Sequence, residues 1–284
     1  MKPSITKKEL TFKFFNYKWY RLPNYAKDTK HFYKKWYMKR YGYTKKSLKK
    51  FLENKDSILD AGCGLGRDSK FFSELNHFAD IVAVDQSPIA VRVTKKYLPS
   101  TCKVIREDII TMKLKERFDF ISCDQVIHHT PNPRLTLVNL MRHLNKEGII
   151  NFSVCRKKNK YRDFADDILM NNGRKMSPSE LWKFSEAVTR FGKALYDLKV
   201  KNIKFEGKNY PDIQRYVHDN LFRCWYNPTV SFDISNSITY DWFSGNPRFN
   251  LKEVKQKILK GLPKYKLLRI YEDDATISVS LKKL

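Results

Sequence analysis

From residue 57 to about residue 155, short apolar runs alternate with stretches of helical periodicity. The runs lie at 57–60, 81–85, 103–105, 118–122 and 148–152. Between them the spacing predicts helices at about 68–76, 88–97 and 133–145. A strand plus a crossover helix in about 20–25 residues is compact, and repeated in series it predicts a parallel sheet with helices on both faces.

The flanks read differently. Residues 1–56 predict amphipathic helices, with apolar positions at Phe32, Trp36, Tyr37 and again at Leu48, Phe51, Leu52. Residues 156–250 lose periodicity apart from a helix over 178–198 with Leu181, Phe184, Val188, Phe191 and Leu195 on one face. The remainder of that stretch is aromatic and irregular, and an excursion of this length is usually functional or a subdomain of its own. Order returns at 251–284: a helix over 251–260, strands over 265–271 and 275–281, and an acidic turn, Glu272-Asp273-Asp274, between the strands.

Composition bounds the class. The chain has 284 residues, is 42% hydrophobic and carries a formal net charge of +26. Half of that excess sits in residues 1–56, which hold 17 Lys and Arg, 4 Asp and Glu and 14 aromatics. Basic and aromatic side chains interleaved in this way suit a single-stranded nucleic acid or another polyanion. A Lys-, Asn- and Ile-rich composition gives the same charge as a plain solvated surface, and both readings stay open. The five cysteines are scattered, with no C-x-x-C pair, which argues against a disulfide scaffold and against zinc, so no metal is expected. No apolar run reaches the roughly 18 residues of a membrane span. The expectation is a reduced, cytoplasmic protein.

The sharpest local signal is Asp60-Ala61-Gly62-Cys63-Gly64-Leu65-Gly66, a buried strand running into a glycine turn and then a helix. Its D-x-G-x-G-x-G spacing differs from the G-x-G-x-x-G of dinucleotide binders. Alternate glycines permit a tight bend and close approach of a ligand to the backbone. Asp85 ends the next strand beside that turn, where its carboxylate can accept from both hydroxyls of a ribose. Asp108 follows the third strand and can accept from an adenine amino group.

Together, the stretch 60–66, Asp85, Asp108-Ile109 and the run from Phe118-Asp119 to His128-His129-Thr130-Pro131 resemble the class I S-adenosylmethionine-dependent methyltransferases, within them the type 11/12 group. The resemblance covers about residues 57–155, and the final helix and hairpin fit the family's terminal antiparallel strands. It implies a doubly wound, seven-stranded, mostly parallel α/β sheet of Rossmann-like type. It implies four parts: a helical cover (1–56), a cofactor-binding core (57–155), an inserted substrate cap (156–250) and a terminal helix and hairpin (251–284). By position, Asp60, Gly62, Cys63, Gly64 and Gly66 would hold the methionine part of S-adenosylmethionine, Asp85 with Gln86 the ribose, and Asp108 with Ile109 the adenine. Asp124 and Gln125 would border cofactor and acceptor. The chain departs from the family in having Gln125 where Gly or Ala is common, and Ile109 where a small residue is common.

Methyl transfer from a sulfonium needs alignment of donor and nucleophile, exclusion of water and, for some acceptors, a base. His128 and His129 follow the fourth strand and are equal candidates, with orientation of the loop as their alternative role. In the inserted segment Tyr240, Asp241 and Trp242 combine a phenol, a carboxylate and an apolar wall, resembling a substrate lid. His218 and Arg223 lie in the same region, and Arg223 suits a carboxylate or phosphate. Tyr17, Trp19 and Arg21 resemble an N-terminal cover. The expected partner is a small-molecule acceptor, bearing an anionic group if the basic surface is used. RNA or tRNA methylation through the basic N-terminal segment is the alternative, and a catalytically silent cofactor-fold binding protein is a third.

Overall fold

The computed structural model describes residues 6–245 and 247–284. Residues 1–5 of the expected N-terminal segment, and residue 246, lie outside that description. In chain order the elements are α1 (Lys7–Arg21), α2 (Tyr25–Tyr41), α3 (Lys45–Glu53), β1 (Ser57–Ala61), α4 (Arg67–Leu75), β2 (Asp80–Asp85), α5 (Pro88–Tyr97), β3 (Lys103–Arg106), β4 (Phe118–Cys123) and α6 (Pro133–Arg142). They continue with β5 (Leu144–Cys155), α7 (Lys160–Gly173), α8 (Pro178–Asp197), β6 (Lys201–Phe205), β7 (Lys208–Asp212), α9 (Ile213–Asn220), α10 (Phe232–Phe243), α11 (Leu251–Glu253), β8 (Tyr265–Glu272) and β9 (Thr276–Lys283). A wide π turn, Val254–Leu259, extends α11. The chain divides into two compact units, 1–22 with 157–246 and 23–156 with 247–284.

The second unit is built on a seven-stranded sheet in the order β3-β2-β1-β4-β5-β9-β8. The first five strands pair in parallel, and β9 runs antiparallel to both of its neighbours. The expected doubly wound fold is therefore the observed one. Alternate residues of each strand feed opposite faces. Leu59, Val82, Ile121, Ile150 and Val279 pack with Leu137, Leu140 and Met141 of α6 on one side. Ile58, Ile81 and Phe120 pack with Tyr37 and Tyr41 of α2, Leu48 and Leu52 of α3, and Phe71, Phe72 and Leu75 of α4 on the other. Strand order reverses between β1 and β4, the place where open α/β sheets bind ligands beyond the carboxyl ends of their strands.

The helices start where side-chain caps are available. Ser87 and Asn132 cap α5 and α6, each followed by proline at the first turn. The expected helix 133–145 is shorter than predicted. His143 closes α6, its carbonyl already accepts from Phe118 N–H, and Leu144 then pairs with Phe118 as the start of β5. A register shift across Glu147, whose φ is 64°, carries the strand from that pair to the Phe120–Ile149 pair.

The other unit is helical, with α1, α7, α8, α9 and α10 and a β6–β7 hairpin. The expected irregularity of 156–250 is thus corrected: α7, α9 and α10 are regular, but polar side chains take many of their buried positions. In α10 these include Ser235, Asn236, Ser237 and Thr239, and in α7 Arg162 and Asp166. The buried face of α8 is also rotated from the expected one, to Leu181, Trp182, Ser185, Thr189 and Gly192, while Phe191 is exposed. Close packing explains it, since a Cβ on Gly192 would stand 2.0 Å from the Cys224 carbonyl oxygen. The expected single cover, 1–56, is divided between the units after Leu22. Phe14 and Tyr17 of α1 pack with Trp182 and Tyr240, whereas α2 and α3 cover the sheet.

Candidate functional site

At the carboxyl end of β1 the chain turns through Gly62, Gly64 and Gly66 with φ of 82°, 52° and 77°. Left-handed backbone of this kind favours glycine on conformational grounds alone. The protein's own packing adds a second reason. A Cβ on Gly62 would stand 2.3 Å from Cγ1 of Val126, and one on Gly66 would stand 2.7 Å from Cγ2 of Thr94. Two of the three glycines thus answer to neighbours within the protein, where the sequence suggested the approach of a ligand.

The acidic residues fasten this turn. Asp60 accepts from the Ser69 backbone N–H (2.9 Å) and hydroxyl (2.5 Å), pinning the first turn of α4 to β1. Burial, with Asp68 nearby, pushes its carboxyl up to about 7 against those two donors. Asp85 Oδ2 accepts from Gly64 N–H (2.9 Å) and Oδ1 from Ser87 N–H (2.8 Å). Burial raises its pKa, and the donations from Ser87, Gly64 and Gln86 oppose that. Gln86 stands half-buried beside it, its carbonyl accepting from Arg106 Nε. Asp108 Oδ1 accepts from Ile110 N–H (3.0 Å) in the turn after β3, and Ile109 is buried in the core. Burial holds the Cys63 thiol well above its usual range, so it is no thiolate nucleophile.

Asp124 has a role the sequence did not suggest. It is buried and accepts from Tyr41 Oη (2.9 Å), Ser153 Oγ (2.8 Å) and Arg40 Nη1 (3.1 Å), with Arg67 Nη2 at 3.8 Å. Burial opposes the charge on Arg40, but Asp124, with Tyr41 and Asp273, outweighs it and raises the guanidinium's pKa. Asp124 is therefore the centre of an ion-pair network joining α2, β4 and β5. Ser153, the polar residue in the run Asn151-Phe152-Ser153-Val154, was the available signal, since a hydroxyl inside a buried strand needs partners. Ser153 Oγ also accepts from Gln125 N (2.8 Å) and Nε2 (2.9 Å). Gln125 sits at φ 60°, which explains why glycine suits this position in the family it resembles.

His128 and His129 lie on a single 3₁₀ turn with rings 4.2 Å apart. His128 is 1% exposed and its Nδ1 lies 3.4 Å from the Ser153 carbonyl oxygen, while His129 is half-buried.

In the helical unit Tyr240 is fully buried, its hydroxyl donating to the Phe14 carbonyl (3.0 Å) and its ring against Trp182. Burial raises its pKa. These are the features of a packing residue, not of an exposed lid. Asp241 is ion-paired with Lys18, which is almost wholly buried and lies 4.7 Å from the Trp19 ring. Arg21 is exposed and stacks over Trp182 at 5.1 Å. His218 and Trp242 are buried, and Arg223 lies 4.4 Å from the Trp242 ring. Among the described residues no cluster of His, Cys, Asp and Glu could hold a metal ion. No helix there is long and apolar enough to cross a membrane.

The sequence profile of the methyltransferase domain matches residues 52–217, more than half of the chain, and the chain belongs to that family. The mitochondrial ubiquinone biosynthesis O-methyltransferase of Schizosaccharomyces pombe is 34% identical over 97 residues, 32% of this chain and 35% of that one. A ubiquinone biosynthesis O-methyltransferase of Coxiella burnetii is 27% identical over 184 residues, 59% of this chain and 76% of that one. The chain thus spans about a third of the first relative's length and three quarters of the second's. In fold it is similar to the magnesium protoporphyrin IX methyltransferase of Synechocystis PCC 6803, with a TM-score of 0.52 at 12% identity and all of both chains covered.

Proposed function

We propose that this chain is an S-adenosylmethionine-dependent methyltransferase acting on a small-molecule acceptor. The observation that carries the reading is the half-buried Asp85 carboxylate at the carboxyl end of β2, beside the glycine turn and next to the sheet's switch point. Its two oxygens take backbone donations from Gly64, Ser87 and Gln86, and a carboxylate's roughly four lone-pair sites leave acceptor capacity for a ribose hydroxyl. The donor set fits the cofactor on that count, with Asp108 and Ile109 following β3 on the adenine side. S-adenosylmethionine supplies a sulfonium-activated methyl group when bound. The protein's part is to orient and to exclude water. Ser69 holds Asp60, and Asp60 holds the glycine turn at the end of β1. Of the two histidines, His129 retains exposure and is the one proposed to take a proton from the acceptor, whereas His128 orients the turn through Ser153. The ubiquinone O-methyltransferases among the relatives support a small organic acceptor. Nucleic acid gains less support: of the N-terminal aromatics, Phe14, Trp19, Tyr25, Tyr37 and Tyr41 are buried, which withdraws them from base stacking.

Asp85→Ala is the discriminating variant. It removes hydrogen bonds to a charged acceptor, and the expected result is at least about a tenfold loss of S-adenosylhomocysteine affinity. Calorimetric titration of the wild type and the variant reads it directly. Equal affinities would remove Asp85 from the ribose and the reading with it.

A further inference from the structure

Residues 198–208 of the helical unit hold four lysines, one acid and four apolar side chains. They run from the end of α8 through β6 and its turn to the first residue of β7. Alternate residues of β6 serve opposite faces of the ribbon. Ile203 pairs with the buried Tyr210, and the Phe205 ring lies 5.3 Å from that of Tyr216, so this face rests on α9. Lys204, with Asn209 opposite it, belongs to the other face and is exposed. Glu206 and Gly207 make the turn, with φ of 45° and 70°, as a two-residue hairpin turn requires. The tip is open, since a Cβ on Gly207 would meet nothing within 4 Å.

Two chemistries are exposed side by side along this hairpin. Leu198 is 63% exposed, Val200 45% and Phe205 44%. A single exposed apolar side chain needs no explanation, but three within eight residues, interleaved with lysines, form a patch. Of the lysines, Lys201 has Asp212 at 3.7 Å and is still 45% exposed. Lys199 and Lys201 both lie over the Tyr196 ring, at 4.4 and 4.9 Å, which gathers their charges at the end of α8. Lys204 and Lys208 are exposed, and among the described residues neither has an acidic partner. A nucleic acid would use these ammonium groups but offer nothing to Leu198 and Val200. The headgroup boundary of an anionic bilayer takes both: apolar side chains sink toward the acyl chains while lysines reach back to the phosphates.

We propose that the helical unit docks on anionic lipid bilayers through residues 198–208. Leu198, Val200 and Phe205 supply the apolar contact, and Lys199, Lys201, Lys204 and Lys208 the charge. The inference stands on the hairpin alone and uses no part of the cofactor site.

Sedimentation of the full chain with phosphatidylcholine vesicles, with and without phosphatidylglycerol, tests it. The expected result is partition on the order of a hundredfold stronger to the anionic vesicles, weakening as salt rises. A chain of net charge +26 is drawn to any anionic surface, so the variants decide whether the hairpin is the contact. Lys204→Glu/Lys208→Glu should lower the partition at least about tenfold, whereas the charge-matched reversal of two exposed lysines on α3, Lys46→Glu/Lys50→Glu, should lower it by about threefold or less. Leu198→Ser/Val200→Ser, which leaves the charge unchanged, should lower it about tenfold. All six positions carry exposed side chains, and unchanged thermal midpoints confirm that the variants fold. No sedimentation with anionic vesicles, equal losses from the two charge reversals, or wild-type partition of the Leu198/Val200 variant overturns the proposal. Oligouridylate binding that is lost with Lys204→Glu/Lys208→Glu, without sedimentation on vesicles, would assign the surface to nucleic acid instead.

Discussion

Asp124→Asn should destabilise the sheet-bearing unit by about 3–5 kcal/mol, because it strips a buried arginine of its principal counter-charge. Arg40 is 4% exposed, and its other carboxylate, Asp273, stands 3.9 Å from Nε with a side chain 26% exposed. Asparagine keeps the shape of aspartate but offers one acceptor oxygen in place of two. The three donors now converging on Asp124, from Tyr41, Ser153 and Arg40, can no longer all be met. Set against typical domain stabilities of about 5–15 kcal/mol, the loss is large. It reads as a lowered urea midpoint with an unchanged slope. Ser153→Ala should cost less, since it removes a neutral hydroxyl and leaves the Arg40 pair. A wild-type midpoint for Asp124→Asn would mean that Arg40 is stabilised without its partner.

Gly62→Ala is the second large effect, and it has two separable parts. At φ 82° an L-residue pays roughly 1–2 kcal/mol in backbone strain. The new methyl meets Val126 Cγ1 at 2.3 Å, an overlap whose relief costs about 1–3 kcal/mol. Val126 is β-branched and stiff at χ1, so it cannot simply swing aside. The expected total is about 2–5 kcal/mol. Adding Val126→Ala should recover the steric share and leave the backbone share. Both variants can be followed by urea unfolding, and a double variant no more stable than Gly62→Ala would place the strain elsewhere than at Val126.

The legibility of the sequence follows from where polarity is buried. β1, β2 and β4 were plain because their central residues are buried on both faces, and the turn at 60–66 was plain because glycine alone relieves three left-handed residues in close succession. The helical unit was opaque because its amphipathy is inverted. α7 buries Arg162 and Asp166 while Tyr161, Phe164 and Ile168 are exposed, so hydrophobic periodicity points its polar side the wrong way. In α10 the buried positions run almost all round, with hydroxyls and amides among them, and no apolar stripe survives. Site roles divided in the same manner. The place of Asp85 beside the glycine turn was readable because strand, turn and acid lie within one local unit. The partners of Asp124 were not, because Arg40 and Tyr41 are more than 80 residues away in sequence. Tyr240 was read as a lid residue from its composition, and what that reading lacked was the Phe14 carbonyl that takes up its hydroxyl.

Transfer of isotopically labelled methyl from S-adenosylmethionine into fractionated cell extract, with and without nuclease, tests the central claim most directly. The account predicts label in a low-molecular-weight or lipid fraction, unaffected by nuclease and lost with Asp85→Ala. Label confined to a nuclease-sensitive polymer would contradict the small-molecule acceptor.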